Sequence, residues 1–236
     1  VLLEITAPDA LTKQMEPWFQ VPYSLVKGPL PRKTVSDAPL RLPTANPYLP
    51  EKLDLVAADT QTMERVIDKP ELTLWMDTDV DFGTPRANMT LSLLVEDGFI
   101  DAADRAQAQL YRRLVNDALS ATIYPAYLAG LGYSIGVGDS GFSVSVNGYQ
   151  DKQMALLATV TEQLFRAEIS AERFATLKSS LIKDWRNSLK DKPYTQAIGA
   201  LSDLMISSSW PATTLADALE PVTRDDLLQW RSQRLK

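Results

Sequence analysis

Between residues 86 and 146 the hydrophobic period of this chain changes from two residues to 3.6 and back to two. Residues 86–96 place Met89, Leu91, Leu93 and Val95 on one side, the alternation of a half-buried strand. Gly98 breaks that pattern, and Asp101 stands where it can cap a helix carrying Ala106, Leu110, Leu114, Ala118 and Leu119 along one stripe. Residues 133–137 and 142–146 then read as strands again, the second alternating Phe142, Val144 and Val146. Strands, one helix, more strands and then several helices is not the regular βα alternation of a parallel sheet. It dictates an α+β fold, a largely antiparallel sheet with helices packed on one face.

The link between the last two strands, IGVGDSGFSVSVNG, contains Gly136-x-Gly138-x-x-Gly141, the letters of a dinucleotide loop. Such a loop needs a strand before the glycines and a helix after them, because the helix N-terminus holds the pyrophosphate. Here Phe-Ser-Val-Ser-Val follows, with period two and rich in valine. The glycines therefore read as a hairpin turn needing positive φ.

Elsewhere residues 52–56 and 72–76 read as short strands, the latter with Leu72, Leu74 and Met76 on one face. A helix starts near Asp151 and turns Met154, Leu157, Val160, Thr161 and Leu164 inward. Ser170 caps another, with the stripe Phe174, Leu177, Leu181, Trp185 and Leu189. Pro193 precedes a helix carrying Ala197, Leu201, Leu204 and Met205, which Trp210-Pro211 closes. Thr223-x-x-Asp226 opens the last helix in the manner of a capping box. Nine of the 15 prolines fall in the first 50 residues, six of them at positions 29–50. That segment reads as extended, and Pro43, Tyr48, Leu49 and Pro50 make it a strap on a surface rather than a free linker.

The chain has no histidine and no cysteine. A histidine zinc site, a Ser-His-Asp triad, a thiolate nucleophile and disulfides are therefore excluded within these 236 residues. A net charge of −6, with no basic run among aromatics, gives no footprint for nucleic acid, and no apolar run is long enough for a membrane span. Asp77, Asp79 and Asp81 resemble the start of a calcium loop. Phe82 and Asn88 stand where an EF-hand needs Gly and Glu, leaving a solvated acidic turn or at most an adventitious cation site. Glu168, Glu172, Asp184 and Asp203 read as carboxylates on the outer faces of helices beside Lys and Arg. Ser140, Ser143 and Ser145 lack a nucleophile elbow, and nothing marks Lys178 or Lys183 as desolvated. The first residues, Val-Leu-Leu-Glu-Ile, and the terminal amphipathic stretch both read as internal to a longer polypeptide.

Several phrases together resemble one family, the pitrilysin–insulysin (insulinase-like, inverzincin) zinc metallopeptidases. Glu16-Pro17-Trp18 with Tyr23 is similar to the close of that family's second domain, and residues 42–50, LPTANPYLP, to its LPxxNx(F/Y)(I/L)P connector. Leu74-Trp75, the acidic turn and Pro85-Arg86-Ala87 resemble the opening strands of its third domain. Residues 124–131, YPAYLAGL, and 147–153, NGYQDKQ, resemble its YxAxLAGL and GYxDKQ signatures. Arg173-Phe174 and Pro221-Val222-Thr223 continue the order, so the resemblance covers nearly the whole chain.

The resemblance implies a tail of the second domain at 1–28, a connector between the two halves of the enzyme at 29–50, and the middle, non-catalytic domain at 51–236. It implies a parent with zinc on an H-x-x-E-H helix of its first domain, enclosing peptide substrates in a chamber of four homologous domains. The partners implied are the neighbouring domains of the same polypeptide and the peptides. No catalytic, metal or substrate-binding residue of that family transfers to this chain, and no cofactor is expected in it. The bacterial pitrilysins imply a periplasmic location, with the cytoplasm as alternative. A stand-alone protein-interaction module, or a domain of a peptidase-like protein maturing a small peptide-derived cofactor, are the competing expectations. The first needs a defined partner for the isolated chain. A cofactor enzyme using Gly136 to Gly141 would need nucleotide binding.

Overall fold

The computed structural model describes residues 4–9, 11–29, 44–55, 63–206 and 208–235. They fall into two compact units, Val1–Thr44 and Ala45–Lys236. In the first, β1 (Gln14–Met15) pairs antiparallel with β2 (Pro22–Tyr23). The Glu16 carboxylate closes the turn by accepting the amides of Trp18 at 3.0 Å and Phe19 at 2.5 Å. Trp18, Phe19 and Tyr23 all lie exposed.

The second unit is built on a three-stranded antiparallel sheet in the order β5-β7-β6, with β5 at Arg86–Leu94, β6 at Gly132–Val137 and β7 at Gly141–Tyr149. Its register stacks like with like. Val144 lies between Leu91 and Ile135, and Val146 between Met89 and Tyr133, on the core face; Ser145 lies between Thr90 and Ser134 on the other. Period-two patterning thus yields one apolar and one polar face. Helices α1 (Ala102–Leu128) and α2 (Gln153–Arg166) cover the apolar face, while α3 (Ala171–Asn187), α5 (Ala212–Leu219) and α6 (Arg224–Arg234) pack onto α1. The α+β architecture read from the periods is the one observed.

Caps hold where the sequence places them. Asp101 accepts the Asp104 amide at 2.7 Å, Ser170 that of Arg173 at 3.2 Å, and Thr223 with Asp226 forms a complete capping box. At the end of α1, Gly130 (φ +78°) permits a Schellman stop: Leu131 N–H bonds Ala126 O and Gly130 N–H bonds Tyr127 O.

Several sequence expectations are corrected. Residues 52–55 form no strand, because side chains of the domain occupy backbone groups there; Val56 lies outside the described residues. Leu72–Met76 is a strand, β4, but it pairs with β3 (Glu64–Lys69), whose ERVIDK lacks alternation, and every residue of β4 is exposed. Ala118 is exposed, since a row spaced by four drifts by about 40° per step around a helix and Leu119 takes the buried place. A 3₁₀ turn at Gln150–Lys152 delays α2, so Gln153, Leu156, Val160 and Leu164 face inward and Met154 faces solvent. Leu189 falls in the turn after α3 and is exposed. Helix α4 (Pro193–Met205) forms but buries no residue, leaving Leu201, Leu204 and Met205 exposed. It ends at Met205, and Pro211 instead caps the unanticipated α5.

The core is closed by four aromatic residues drawn from distant segments. Phe99, Tyr111, Phe142 and Trp230 have ring centroids 5.5–6.4 Å apart. Beneath them the buried Asp104 carboxylate accepts the Trp230 indole N–H at 2.6 Å and pairs with Arg234. This ties the last helix to the first turn of α1.

Candidate functional site

The signature phrases, scattered over more than 100 residues, meet at one corner of the second unit. There they form the seat of residues 46–54. Asn46 donates its side-chain amide to Pro125 O at 2.8 Å, on the last turns of α1, while its own Oδ1 accepts the Tyr48 amide at 3.0 Å. Tyr48 is buried, and its hydroxyl lies 3.2 Å from Thr159 Oγ1 on α2. Thr159 already donates to Ala155 O at 2.9 Å, so the tyrosine is the donor.

Further along, the segment is held by ionic groups. Asp151 Oδ2 accepts the amides of Glu51 at 2.8 Å and Lys52 at 3.4 Å. Lys152 Nζ lies 2.9 Å from Glu51 Oε1 and 3.5 Å from Asp151 Oδ2, and Gln150 Nε2 donates to Asp54 O at 2.7 Å. The Glu51 amide, more than any other group, holds the Asp151 carboxyl below its ordinary range; the bond to Glu51 raises Lys152.

The same motifs brace the seat from below. Gln153 Nε2 donates to Ala87 O at 2.6 Å and Gly148 O at 2.8 Å, joining β5, β7 and α2. Gly148 adopts φ +121°, and a Cβ there would run into the Gly130 carbonyl oxygen. The GY of one signature and the AGL of the other thus touch backbone to backbone, which requires glycine.

The remaining sequence candidates do not converge. Gly136 lies in β6, and Gly138 N–H bonds Gly141 O at 2.8 Å across a turn into β7. Gly141 (φ +146°) leaves no room for a Cβ against Leu93 O. No helix follows the glycines, so the hairpin reading holds, but positive φ is needed only at Gly141 and not at Gly138. Asp79 Oδ1 accepts the Asp81 amide at 2.9 Å in the turn between β4 and β5. Among the described residues no three carboxylates converge as metal ligands.

Glu168 lies in the loop before α3, not on a helix, and Glu172 in the first turn of α3. Asp184 bonds Arg113 at 2.8 Å, and Asp203 accepts the Ser209 hydroxyl at 2.6 Å. Ser145 bonds Thr90 at 2.9 Å on the polar sheet face, where Ser143 also lies; Ser140 sits in the hairpin turn. Lys183 is exposed. Lys178, by contrast, donates to the carbonyls of Glu220 and Val222, both at 2.7 Å, beyond the end of α5. Asn46, Asp151 and Lys152 had no individual signal in the sequence. Their recurrence within motif phrases was the only pointer.

Known proteins match along most of the length. A family model described as the middle or third domain of peptidase M16 matches residues 1–218. The peroxisomal insulin-degrading enzyme-like 1 of Arabidopsis thaliana is 30% identical over 229 residues, covering 94% of this chain and 24% of that protein. A Schizosaccharomyces pombe relative bearing a zinc-protease name is 28% identical over 208 residues, 86% of this chain and 21% of its own length. The crystal structure of pitrilysin superposes with a TM-score of 0.78 over 95% of this chain and 25% of that one, at 21% identity, a likeness of fold. The chain spans about a quarter of the length of the curated relatives it matches. An antiparallel sheet under α1 and α2, motif phrases meeting at one seat, and a family model covering 218 residues agree: the chain belongs to the peptidase M16 family, as its middle or third domain.

Proposed function

We propose that this chain is the non-catalytic structural domain of a zinc-dependent endopeptidase of the pitrilysin–insulysin type. In that reading it forms part of the wall of a peptide-enclosing chamber and carries the hinge between the halves. Residues 1–28 close the preceding domain, 29–50 connect the halves, and 51–236 form the wall domain. The observation that carries the reading is the seat, where one connector phrase is stitched to two domain phrases by Asn46, Tyr48, Asp151 and Lys152. Enclosing a peptide excludes water and commits it to cleavage, a task of geometry rather than of side-chain chemistry. The absence of histidine from the chain leaves zinc ligation and water activation to the parent's first domain.

Two exposed apolar elements supply surfaces for neighbouring domains of the same polypeptide. Helix α4 presents Tyr194, Ile198, Leu201 and Leu204, and β4 presents Leu74, Trp75 and Met76. A 13-residue helix with Gly199 at its middle is marginal in water unless a partner covers it. The periplasm is the proposed location, tested by cell fractionation.

The test compares residues 1–236 with the full-length polypeptide. The full-length protein is expected to hold one zinc per chain and to cleave short peptides until a chelator is added. Residues 1–236 are expected to do neither. Chelator-sensitive cleavage by residues 1–236 alone would overturn the reading, as would a full-length protein with neither zinc nor activity.

A further inference from the structure

We propose that the free edge of β5 is the seat of a further strand, supplied by the parent polypeptide from the stretch that follows Lys236. This rests on the reading above only in taking residues 1–236 as part of a longer polypeptide. The register fixes which backbone groups face that edge. Val95 N–H bonds Ser140 O at 2.8 Å and Gln150 N–H bonds Pro85 O at 3.1 Å, so the odd-numbered residues of β5 form the hydrogen-bonded pairs with β7. Thr90 and Ser145, whose hydroxyls lie 2.9 Å apart, form one of the intervening pairs, in which side chains approach closely. The amides and carbonyls of Asn88, Thr90 and Ser92 therefore point away from β7. Among the described residues no strand meets them, since β5 ends the order β5-β7-β6.

Native proteins blunt or cover an edge of this kind. Strand β5 runs for nine residues without proline, lysine or an acidic residue, and its pairing with β7 has no bulge. Its core-facing Met89, Leu91 and Leu93 are only half-buried, whereas Val144 and Val146 beside them on β7 are buried. The sheet's other edge, β6, is shorter, six residues with Gly132 and Gly136 among them. The edge of β5 thus fits an amphipathic strand, apolar where it flanks Met89, Leu91 and Leu93 and polar beside Thr90 and Ser92.

The course of α6 selects the occupant. Arg234 pairs with Asp104 and donates to Glu96 O at 3.2 Å, two residues beyond β5. Gln233 and Arg234 line one hollow with Leu94, Val95, Glu96 and Asp97. Chain leaving α6 at this point starts beside the C-terminal end of β5, and a strand laid from there runs back along β5, antiparallel to it. The β3–β4 hairpin points the same way. Among the described residues it pairs with no other strand, and β4 buries nothing, although a lone hairpin is marginal in water. A strand on β5 brings a second open edge for that hairpin. Two strand spacings are about 10 Å, well within the reach of residues 77–85.

Hydrogen exchange at single amides tests this in three chains: the full-length polypeptide, residues 1–236, and residues 1–236 lengthened by about the next 15 residues of the parent. In residues 1–236 the Thr90 and Ser92 amides should exchange at least about 100-fold faster than those of Leu91 and Leu93. In the other two chains that difference should shrink to about tenfold or less. Ser92→Pro removes an edge donor, and an edge tolerates proline. It should leave residues 1–236 folded and speed exchange at Thr90 in the full-length polypeptide by about tenfold or more.

Slow exchange at Thr90 and Ser92 in residues 1–236 overturns the proposal. If it is independent of protein concentration, the chain already covers its own edge; if it grows with concentration, a second copy does. Protection in the full-length polypeptide but not in the lengthened chain overturns the assignment to the stretch after Lys236. Fast exchange in the full-length polypeptide overturns the strand altogether, as does protection that appears only when a short peptide is added. A full-length polypeptide with neither zinc nor peptidase activity overturns the peptidase reading, and the exchange rates still decide the strand.

Discussion

Replacing Asp104 by alanine should be the most damaging single change to the charged interior of this domain. Its side chain is 6% exposed, and it answers both the buried Trp230 indole and the Arg234 guanidinium. Removing it leaves an indole N–H without an acceptor, at a cost of about 1–3 kcal/mol. It also leaves a cation without its partner, and breaking a buried pair costs about 3–5 kcal/mol. Arg234 is 24% exposed and donates to Glu96 O at 3.2 Å, so water and that carbonyl recover part of the second cost. A net loss of about 3 kcal/mol follows. With a urea slope of about 3 kcal/mol/M for a unit of this size, the midpoint falls by about 1 M. Tryptophan emission reports it, because Trp230 lies in the aromatic cluster. Asp104→Asn keeps an acceptor for the indole and should lose about half as much. The double variant Asp104→Ala with Arg234→Met should be more stable than Asp104→Ala alone, since it removes the orphaned charge. If the two single losses simply add, or if Asp104→Asn is as damaging as Asp104→Ala, an unpaired buried cation is not what the aspartate prevents.

Three further outcomes are expected. Gly148→Ala, forced to φ +121° with its Cβ against Gly130 O, should cost about 2 kcal/mol or more in urea unfolding; a loss below about 0.5 kcal/mol would mean that the two signatures separate easily. The bonds from Asp151 to the amides of Glu51 and Lys52 should be lost in acid. Asp151 lies below its usual 3.8 in the folded state, so its contribution is complete above that value and is lost as pH falls through the depressed folded value; amide chemical shifts of Glu51 and Lys52 followed from pH 6 to pH 2 should move only at the acid end, and a midpoint at or above the usual value would refute the assignment. Leu201→Glu and Leu204→Glu, both exposed, should leave residues 1–236 within about 0.5 kcal/mol of their stability. In the full-length polypeptide the same changes should lower the thermal midpoint by several degrees, and equal effects in both would mean that α4 meets no neighbour.

Which parts of this fold were legible follows from where the information lies. The strands β5 and β7 were readable because one face is apolar over nine residues, and α1 because its cap and stripe are both local. The facing of the start of α2 was misread by one residue because Gln153, a polar side chain, takes a buried place there. It does so to bond two strand carbonyls that no local pattern reveals. Exposure of α4 was illegible for the opposite reason. Its apolar stripe is real, but it buries no residue against this unit. The Asp104–Trp230 link joins residues 126 apart, and β3 hides in a charged run paired with an equally exposed partner.

The seat was legible only as recurring phrases, and its chemistry explains why. A motif rich in Asp, Lys, Gln, Tyr and Gly invites a catalytic reading, yet here Asp, Gln and Gly are consumed by backbone, and Lys152 by the Glu51 and Asp151 carboxylates. Asp151 takes two amides, Gln150 and Gln153 give to three carbonyls, and Gly148 and Gly130 make room for each other. A group whose hydrogen-bonding capacity is spent on the chain's own backbone has little left for a substrate. Such residues are costly to replace for geometric reasons, because no other side chain reaches the same amides at the same length. The polar signature of this domain is therefore better understood as the fastening of one segment than as the remnant of a site. The property to measure in its variants is the opening of that segment before any change in chemistry.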